Sequence, residues 1–238
     1  MANPIVRAGA SGYAYKPWKG SFYPEDLPDA DMLPYYAERL PTVEINNTFY
    51  RLPKASVMEN WAAQTPKEFR FAIKASRRIT HFTRLKEEAA EPLSYLLETM
   101  GALGGKAGPI LFQMPPNMKK DLPRLVAFLQ QLPKKQQTTF EFRHPSWFED
   151  DVFDALRAQN AALCIAEGAD KEKNAPLVAT ADWGYLRLRR DDYGARQIGA
   201  WAKKIQQQKW GESYVFFKHE DEGAAPKLAQ QLTEHLSR

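Results

Sequence analysis

Short apolar runs recur along this chain, with polar or charged residues at alternate positions or at their C-terminal ends. They are Arg7 to Ser11, Val43 to Asn47, Arg70 to Ser76, Ile110 to Gln113, Thr139 to Arg143, Ala162 to Glu167, Tyr185 to Arg189 and Tyr214 to His219. Most gaps between them hold one helical pattern. The expected helices run from Asp31 to Leu40, from Lys54 or Ser56 to Ala63, from Glu87 to Leu103, from Asp121 until Pro133 stops it, from Ser146 to Gln159, from Tyr193 to Gln208 and from Pro226 to Leu236. The sixth connection, Gly168 to Thr180, is polar and contains Pro176, so it reads as a loop with at most a short helix. Strands alternating with helices imply a parallel sheet, and this many repeats favour closure over an open doubly wound sheet. The expected fold is therefore α/β: a single TIM-type (β/α)8 barrel domain over residues 1–238, somewhat irregular around the sixth βα unit. Chemistry in such a fold belongs at the C-terminal strand ends.

Side chains alternate across a strand, so Glu44 and Asn46 share one face while Val43 and Ile45 share the other. The same alternation separates Lys74 and Ser76 from Phe71 and Ile73, Glu141 and Arg143 from Phe140 and Phe142, and Arg187 and Arg189 from Leu186 and Leu188. The apolar face belongs under the helices, which leaves the charged face to point into the barrel or its upper mouth. Lone buried charges are costly, so Glu44, Lys74, Glu141, Arg143, Arg187 and Lys218 must compensate one another or meet a ligand. Aromatic residues crowd the same sequence positions: Tyr13, Tyr15, Trp18, Phe22 and Tyr23, then Phe49 and Tyr50, then Trp147 and Phe148, and Trp183 before the seventh run. They read as a lid over the barrel, or as rings on which a sugar or base stacks.

Composition narrows the classes. At 238 residues and 44% hydrophobic, the chain has the size of one barrel. No stretch approaches the roughly 18 apolar residues of a membrane span, and the N-terminal residues lack the apolar core of a signal peptide. A cytoplasmic protein without a membrane partner is expected. The single cysteine, Cys164, lies between Leu163 and Ile165 and reads as a small buried hydrophobe, so disulfides and cysteine metal clusters are excluded. A net charge of +4 permits anionic ligands without demanding them. The basic pairs Arg77-Arg78, Lys119-Lys120, Lys134-Lys135 and Lys203-Lys204 are dispersed, as solvated surface is, rather than gathered into a nucleic-acid track.

No Gly-x-Gly-x-x-Gly or P-loop pattern follows any run, and Gly9-Ala10-Ser11-Gly12 lacks the remaining spacing, so no cofactor is expected. His81, His144 and His219 fall near upper strand ends and could join Glu44, Glu141 and Asp182 around a divalent metal. They include no tight ligand pair, so metal is the lesser alternative and none is assigned. His235, on the last helix, reads as solvated.

Five motifs carry a resemblance. They are Gly9-Ala10-Ser11-Gly12-Tyr13 with Trp18-Lys19-Gly20 and Phe22-Tyr23-Pro24; Val43-Glu44-Ile45-Asn46-Asn47-Thr48-Phe49-Tyr50; Phe71-Ala72-Ile73-Lys74-Ala75-Ser76 with Ile79-Thr80-His81; Leu111-Phe112-Gln113-Met114-Pro115-Pro116; and Glu141-Phe142-Arg143-His144-Pro145-Ser146-Trp147. In this order they resemble the YecE-like family, domain of unknown function 72, across nearly the whole chain. The resemblance implies a TIM-type barrel and no settled reaction. Its architecture is similar to that of sugar-phosphate isomerases and of endonuclease IV-type nucleases, an analogy of fold alone. Glu44, Asn46, Lys74, His81, Gln113, Glu141, Arg143 and His144 keep the family pattern. The chain departs late: Arg189-Arg190 stand where the family has His-Gly, and Lys218-His219-Glu220-Asp221 where it has Asn-Asn-Asp.

The leading expectation is an enzyme acting by hydrolysis or isomerisation on a small anionic, polyhydroxyl substrate, a sugar phosphate or a nucleic-acid fragment. Glu44 and Glu141 are the candidate acid/base carboxylates, with His144 orienting the reaction beside them. Lys74 and Arg143 would clamp the anion. Asn46, Ser76, His81, Gln113, Trp147, Arg187 and Lys218 complete the candidate substrate-binding set. Two alternatives stand beside this: a non-catalytic nucleic-acid-binding barrel, and a protein-interaction barrel whose charges form an internal ion-pair network. The sequence leaves open whether the chain is an enzyme, and its oligomeric state.

Overall fold

A computed structural model describes residues 4–168, 174–218 and 223–237. Its strands are β1 (Ile5–Ala10), β2 (Thr42–Ile45), β3 (Arg70–Lys74), β4 (Ala107–Gln113), β5 (Thr138–Glu141), β6 (Ala162–Glu167), β7 (Trp183–Leu188) and β8 (Glu212–Phe217). They pair in parallel and in chain order, and β1 closes on β8 through six consecutive register partners from Ile5 opposite Glu212 to Ala10 opposite Phe217. The α/β barrel expected from the sequence is the fold observed.

Around it lie α1 (Met32–Ala37), α2 (Ala55–Ala63), α3 (Ala90–Met100), α4 (Leu122–Leu129), α5 (Asp150–Ala158), α6 (Ala195–Gln206) and α7 (Ala224–Leu236). Asp121 caps α4 as its sequence suggests, its carboxylate accepting from the Arg124 amide at 3.1 Å. Several expected helices are shorter because 3₁₀ turns replace their first or last residues, as at Asp29–Asp31 and Pro145–Trp147. The third helix ends at Met100 and a 3₁₀ turn follows, and helical backbone breaks at Gly104, φ 54°, where the glycines were expected to stop it. No helix joins β6 to β7 among the described residues; part of that connection, 169–173, lies outside them. No described helix is long and apolar enough to cross a membrane.

Two apolar layers follow from the alternation. Outward-facing Val43, Ile45, Phe71, Ile73, Phe112, Phe140, Phe142, Leu186 and Leu188 pack beneath the helices. Inside the barrel a second cluster contains Ala72, Leu111, Cys164, Tyr185, Tyr214 and Phe216, and Cys164 is fully buried there as expected. The seam between β1 and β2 is the thinnest, with Ala10 opposite Val43 as its register pair. Tyr36 of α1 bridges it: its hydroxyl accepts from the Ala10 amide at 2.8 Å and donates to the Thr42 carbonyl at 2.9 Å. Gly9 permits this approach, since a Cβ there would lie 2.1 Å from the Thr42 carbonyl oxygen.

Candidate functional site

The last or next-to-last residues of β2, β3, β4, β5 and β7 bring Glu44, Lys74, Gln113, Glu141 and Arg187 into the top of the barrel, all nearly or wholly buried. Arg187 lies between the carboxylates: its Nη2 donates to Glu44 Oε1 at 2.9 Å and its Nη1 to Glu141 Oε2 at 2.5 Å. Glu44 also accepts from Ser11 Oγ at 2.8 Å, Asn46 Nδ2 at 2.9 Å and Tyr185 Oη at 2.6 Å. Glu141 accepts from Gln113 Nε2 at 2.8 Å, Arg189 Nη2 at 2.9 Å and Arg143 Nε at 3.3 Å. Each carboxylate oxygen is thus held by at least one protein donor.

These contacts fix the protonation states. Burial raises the Glu44 carboxyl, but the Arg187 charge and three neutral donors outweigh it and hold it below its ordinary value. Burial likewise opposes ionisation of Glu141, and the guanidinium groups of Arg187, Arg189 and Arg143 hold it well below the carboxylate range. Both are committed carboxylates. Lys74 is the opposite case: burial and then the Arg187 charge bring its ammonium down to about 8, with Glu44 and Glu141 only partly restoring it. Its Nζ donates to Gln113 Oε1 at 2.9 Å and sits 4.3 Å from the centre of the Phe49 ring. The Lys74 carbonyl receives the buried Thr48 hydroxyl at 2.7 Å, which ties the loop after β2 to the end of β3.

Above this network opens a pocket of about 280 Å³, lined by Ser11, Tyr15, Asn46, Tyr50, Lys74, Gln113, Arg143, Arg187 and Lys218. Among the described residues, the cations Lys74, Arg143, Arg187 and Arg189 around it outnumber the carboxylates Glu44 and Glu141 that brace it, and Lys218 also lines it. Among the described residues, the buried Arg187 Nε has no protein partner.

The remaining candidates separate. His81 sits on a π turn, Arg78–Phe82, with its ring edge-on to Phe49 at 4.9 Å and Nδ1 2.9 Å from Thr80 Oγ1. Burial and then the Lys74 and Arg143 charges lower its pKa. Ser76 and His144 stand outside the pocket lining: Ser76 Oγ accepts from the Arg78 amide at 3.3 Å, and His144 Nδ1 caps the turn at Ser146. Trp147 does not belong to the mouth, contrary to the sequence expectation. It is fully buried, stacked on Phe142 at 4.5 Å, with Nε1 donating to the Met118 carbonyl at 2.7 Å, because the 3₁₀ turn after β5 folds it back onto the outer face. Asp182 precedes β7 and Trp183 begins it, so both lie at the opposite end of the barrel, where Asp182 pairs with Asn160 at 2.8 Å. His219 lies outside the described residues. His235 is half-buried rather than solvated, since its ring stands 3.3 Å from where a Cβ on Gly199 would be. Among the described residues, no three His, Cys, Asp or Glu side chains gather as a set that could hold a metal ion.

Ser11, Tyr185 and Arg189 were not assigned as site residues from sequence, and Tyr15 and Tyr50 were named only among the aromatic residues of the barrel edge. Two carried a signal, since Tyr185 and Arg189 each lie two residues from Arg187 and share its face.

A closed parallel barrel with buried carboxylates bracing a cation-rich mouth at its C-terminal end defines a TIM-type barrel with a built polar site. The family model described as "Protein of unknown function DUF72" matches residues 7–238, and the chain belongs to that family. It is 27% identical over 231 residues to the UPF0759 protein YecE of Escherichia coli K12, covering 84% of each chain. It is 25% identical over 257 residues to the UPF0759 protein YunF of Bacillus subtilis 168, covering 91% of this chain and 90% of that protein. Its fold is similar to the crystal structure of a DUF72 protein, TM1631, of Thermotoga maritima, with a TM-score of 0.82 and 24% identity over 98% of this chain and 100% of the other.

Proposed function

We propose that the barrel mouth binds and transforms a small anionic, hydroxyl-bearing substrate of the sugar-phosphate kind. The observation that carries this reading is the charge balance of the pocket. Glu44 and Glu141 are consumed in holding Arg187, Arg189 and Arg143, and Lys74, whose Nζ is held by the neutral Gln113, adds a cation that an anionic ligand would neutralise. An internal network kept only for structure has no need of that excess.

The geometry also redistributes the roles within this reading. Saturated carboxylates held below their usual range are poor proton donors, so Glu44 and Glu141 act as braces that aim the guanidinium groups. Proton transfer falls to Lys74, whose ammonium near pH 8 gives up a proton far more readily than an ordinary lysine. Isomerisation, which moves a proton between neighbouring carbons or oxygens, asks least of such a site. His81, against the same Phe49 ring, is the second group available to it. The rim favours a second reading, the non-catalytic nucleic-acid-binding barrel: Tyr50 and Phe82 are about two-thirds exposed, with the Arg77 guanidinium between them at 5.5 and 5.3 Å.

Calorimetric titration with sugar phosphates and short oligonucleotides separates these readings. Arg143→Lys keeps charge but loses the fork, so sugar-phosphate binding should weaken about tenfold, while Lys134→Ala on the surface leaves it unchanged. Tight oligonucleotide binding that falls steeply with salt, without turnover of any sugar phosphate, would instead establish the second reading. If Arg143→Lys binds every ligand as the wild type does and only its melting temperature falls, the charges are an internal network.

A further inference from the structure

The polar pocket is not isolated. A second cavity of about 210 Å³ adjoins it, and Ser11, Tyr15 and Asn46 line both. The character changes across that shared wall. On the far side stand the rings of Tyr13 and Trp61, the side chain of Ile45 and the small residues Gly12 and Ala14, with Asn47 exposed at the edge. Where the first pocket presents Lys74, Arg143, Arg187 and Lys218, the second presents no charged side chain among the described residues of its lining.

The partition is itself built. Tyr15 folds back so that its hydroxyl donates to the Ser11 carbonyl at 2.8 Å, and it packs on Trp18 with ring centres 4.8 Å apart. Gly12 makes room for it: at φ +118° it takes a conformation that suits glycine, and a Cβ there would come within 2.6 Å of the Tyr15 ring. The adjacent Asn46 is held between Glu44 and Arg187, so the same residue that borders the apolar cavity is tied into the charged network.

From this juxtaposition we infer that the apolar cavity is a subsite for a planar ring carried by the same ligand whose anionic group enters the cationic pocket. The ligand class is a phosphorylated ring compound, an aryl phosphate or a nucleoside monophosphate, with a short connection between ring and phosphate. An apolar cavity of about 150 Å³ accommodates a benzene ring, so this one takes a single ring with substituents. Asn47 at its edge offers an amide to a heteroatom on such a ring. The inference rests on the anion-binding reading of the mouth and adds to it a choice among anions.

The test is a calorimetric comparison of inorganic phosphate, glycerol phosphate, phenyl phosphate and a nucleoside 5′-monophosphate on the full chain. Burial of one ring should make phenyl phosphate bind at least about tenfold tighter than inorganic phosphate, with glycerol phosphate gaining much less. The nucleoside monophosphate matching or exceeding phenyl phosphate would assign the cavity to a base; phenyl phosphate alone gaining would assign it to a smaller aryl group. Ala14→Trp places a large ring in the cavity and should bring the ratio of phenyl phosphate to inorganic phosphate affinity close to one. Asn47→Phe, which fills it from the other side, provides the same readout should Ala14→Trp not fold. If inorganic phosphate binds and phenyl phosphate gains nothing over glycerol phosphate, or if the ratio survives both substitutions, the subsite is overturned while the anion reading stands. If no phosphate compound binds at all, the anion reading has failed and the subsite fails with it.

Discussion

Arg187 bridges Glu44 and Glu141, donating to each through a different guanidinium nitrogen. Removing it leaves two buried carboxylates without their common partner, a change that typically costs about 3–5 kcal/mol. Arg187→Met should therefore lower the urea-unfolding free energy by that amount; a loss under about 1 kcal/mol would show that water or neighbouring arginines replace it readily. The two carboxylates also set an acid limit. Both have folded-state pKa values below the ordinary 4.5 of a free carboxyl, so their contribution is fully present above pH 4.5 and is lost as the pH falls below it toward the folded values. Urea midpoints measured from pH 6 to 3 should decline, and Glu141→Gln should flatten that decline. Lys74 behaves in the reverse sense. Its pKa falls from 10.5 to about 8 on folding, so the unfolded chain binds more protons between those values and this group favours folding increasingly as pH rises through the window. Ligand affinity should move the other way. Binding of sulfate, whose charge is constant there, should weaken as pH rises through about 8, and Lys74→Met should remove that dependence.

At the scale of the element, legibility followed the strand period. Glu44, Lys74, Glu141 and Arg187 could be placed on one face because their apolar neighbours alternate without interruption, and that face is the barrel interior. The errors came where a residue was assigned by nearness in sequence instead of by element. Trp147 follows Arg143 by four positions, yet the turn at Pro145–Trp147 carries it beneath the outer face. Asp182 and Trp183 were grouped with residues of the upper strand ends, but Asp182 precedes β7 and Trp183 begins it, so both lie at the other end. Ser11 was missed because it stands just beyond its strand, and Arg189, though alternation places it on the Arg187 face, was left out of the candidate set. Two substitutions test these placements. Trp147→Ala should cost about 3–5 kcal/mol in unfolding free energy while leaving anion affinity of the folded protein unchanged; a selective loss of affinity would return Trp147 to the site. Gly9→Ala forces a methyl against the Thr42 carbonyl and should destabilise by at least about 1–3 kcal/mol, measured by the same unfolding curves.

The whole molecule combines a widely used scaffold with a mouth of unusual charge. The barrel confines buried carboxylates and guanidinium groups on strands whose positions are fixed on all sides, which keeps the cations aimed without a ligand present. Family membership agrees with the architecture, and Arg189, just beyond β7, reaches into the site to bind Glu141. The central claim is that this excess of cations exists to hold an anion between Lys74 and Arg143. A crystal structure of the wild-type protein grown with phosphate tests it most directly. The account predicts tetrahedral density in the pocket, with oxygens about 2.7–3.2 Å from Lys74 Nζ and the Arg143 guanidinium. Phosphate seen only against surface lysines, with Arg143 swung away from an unchanged network, would contradict it.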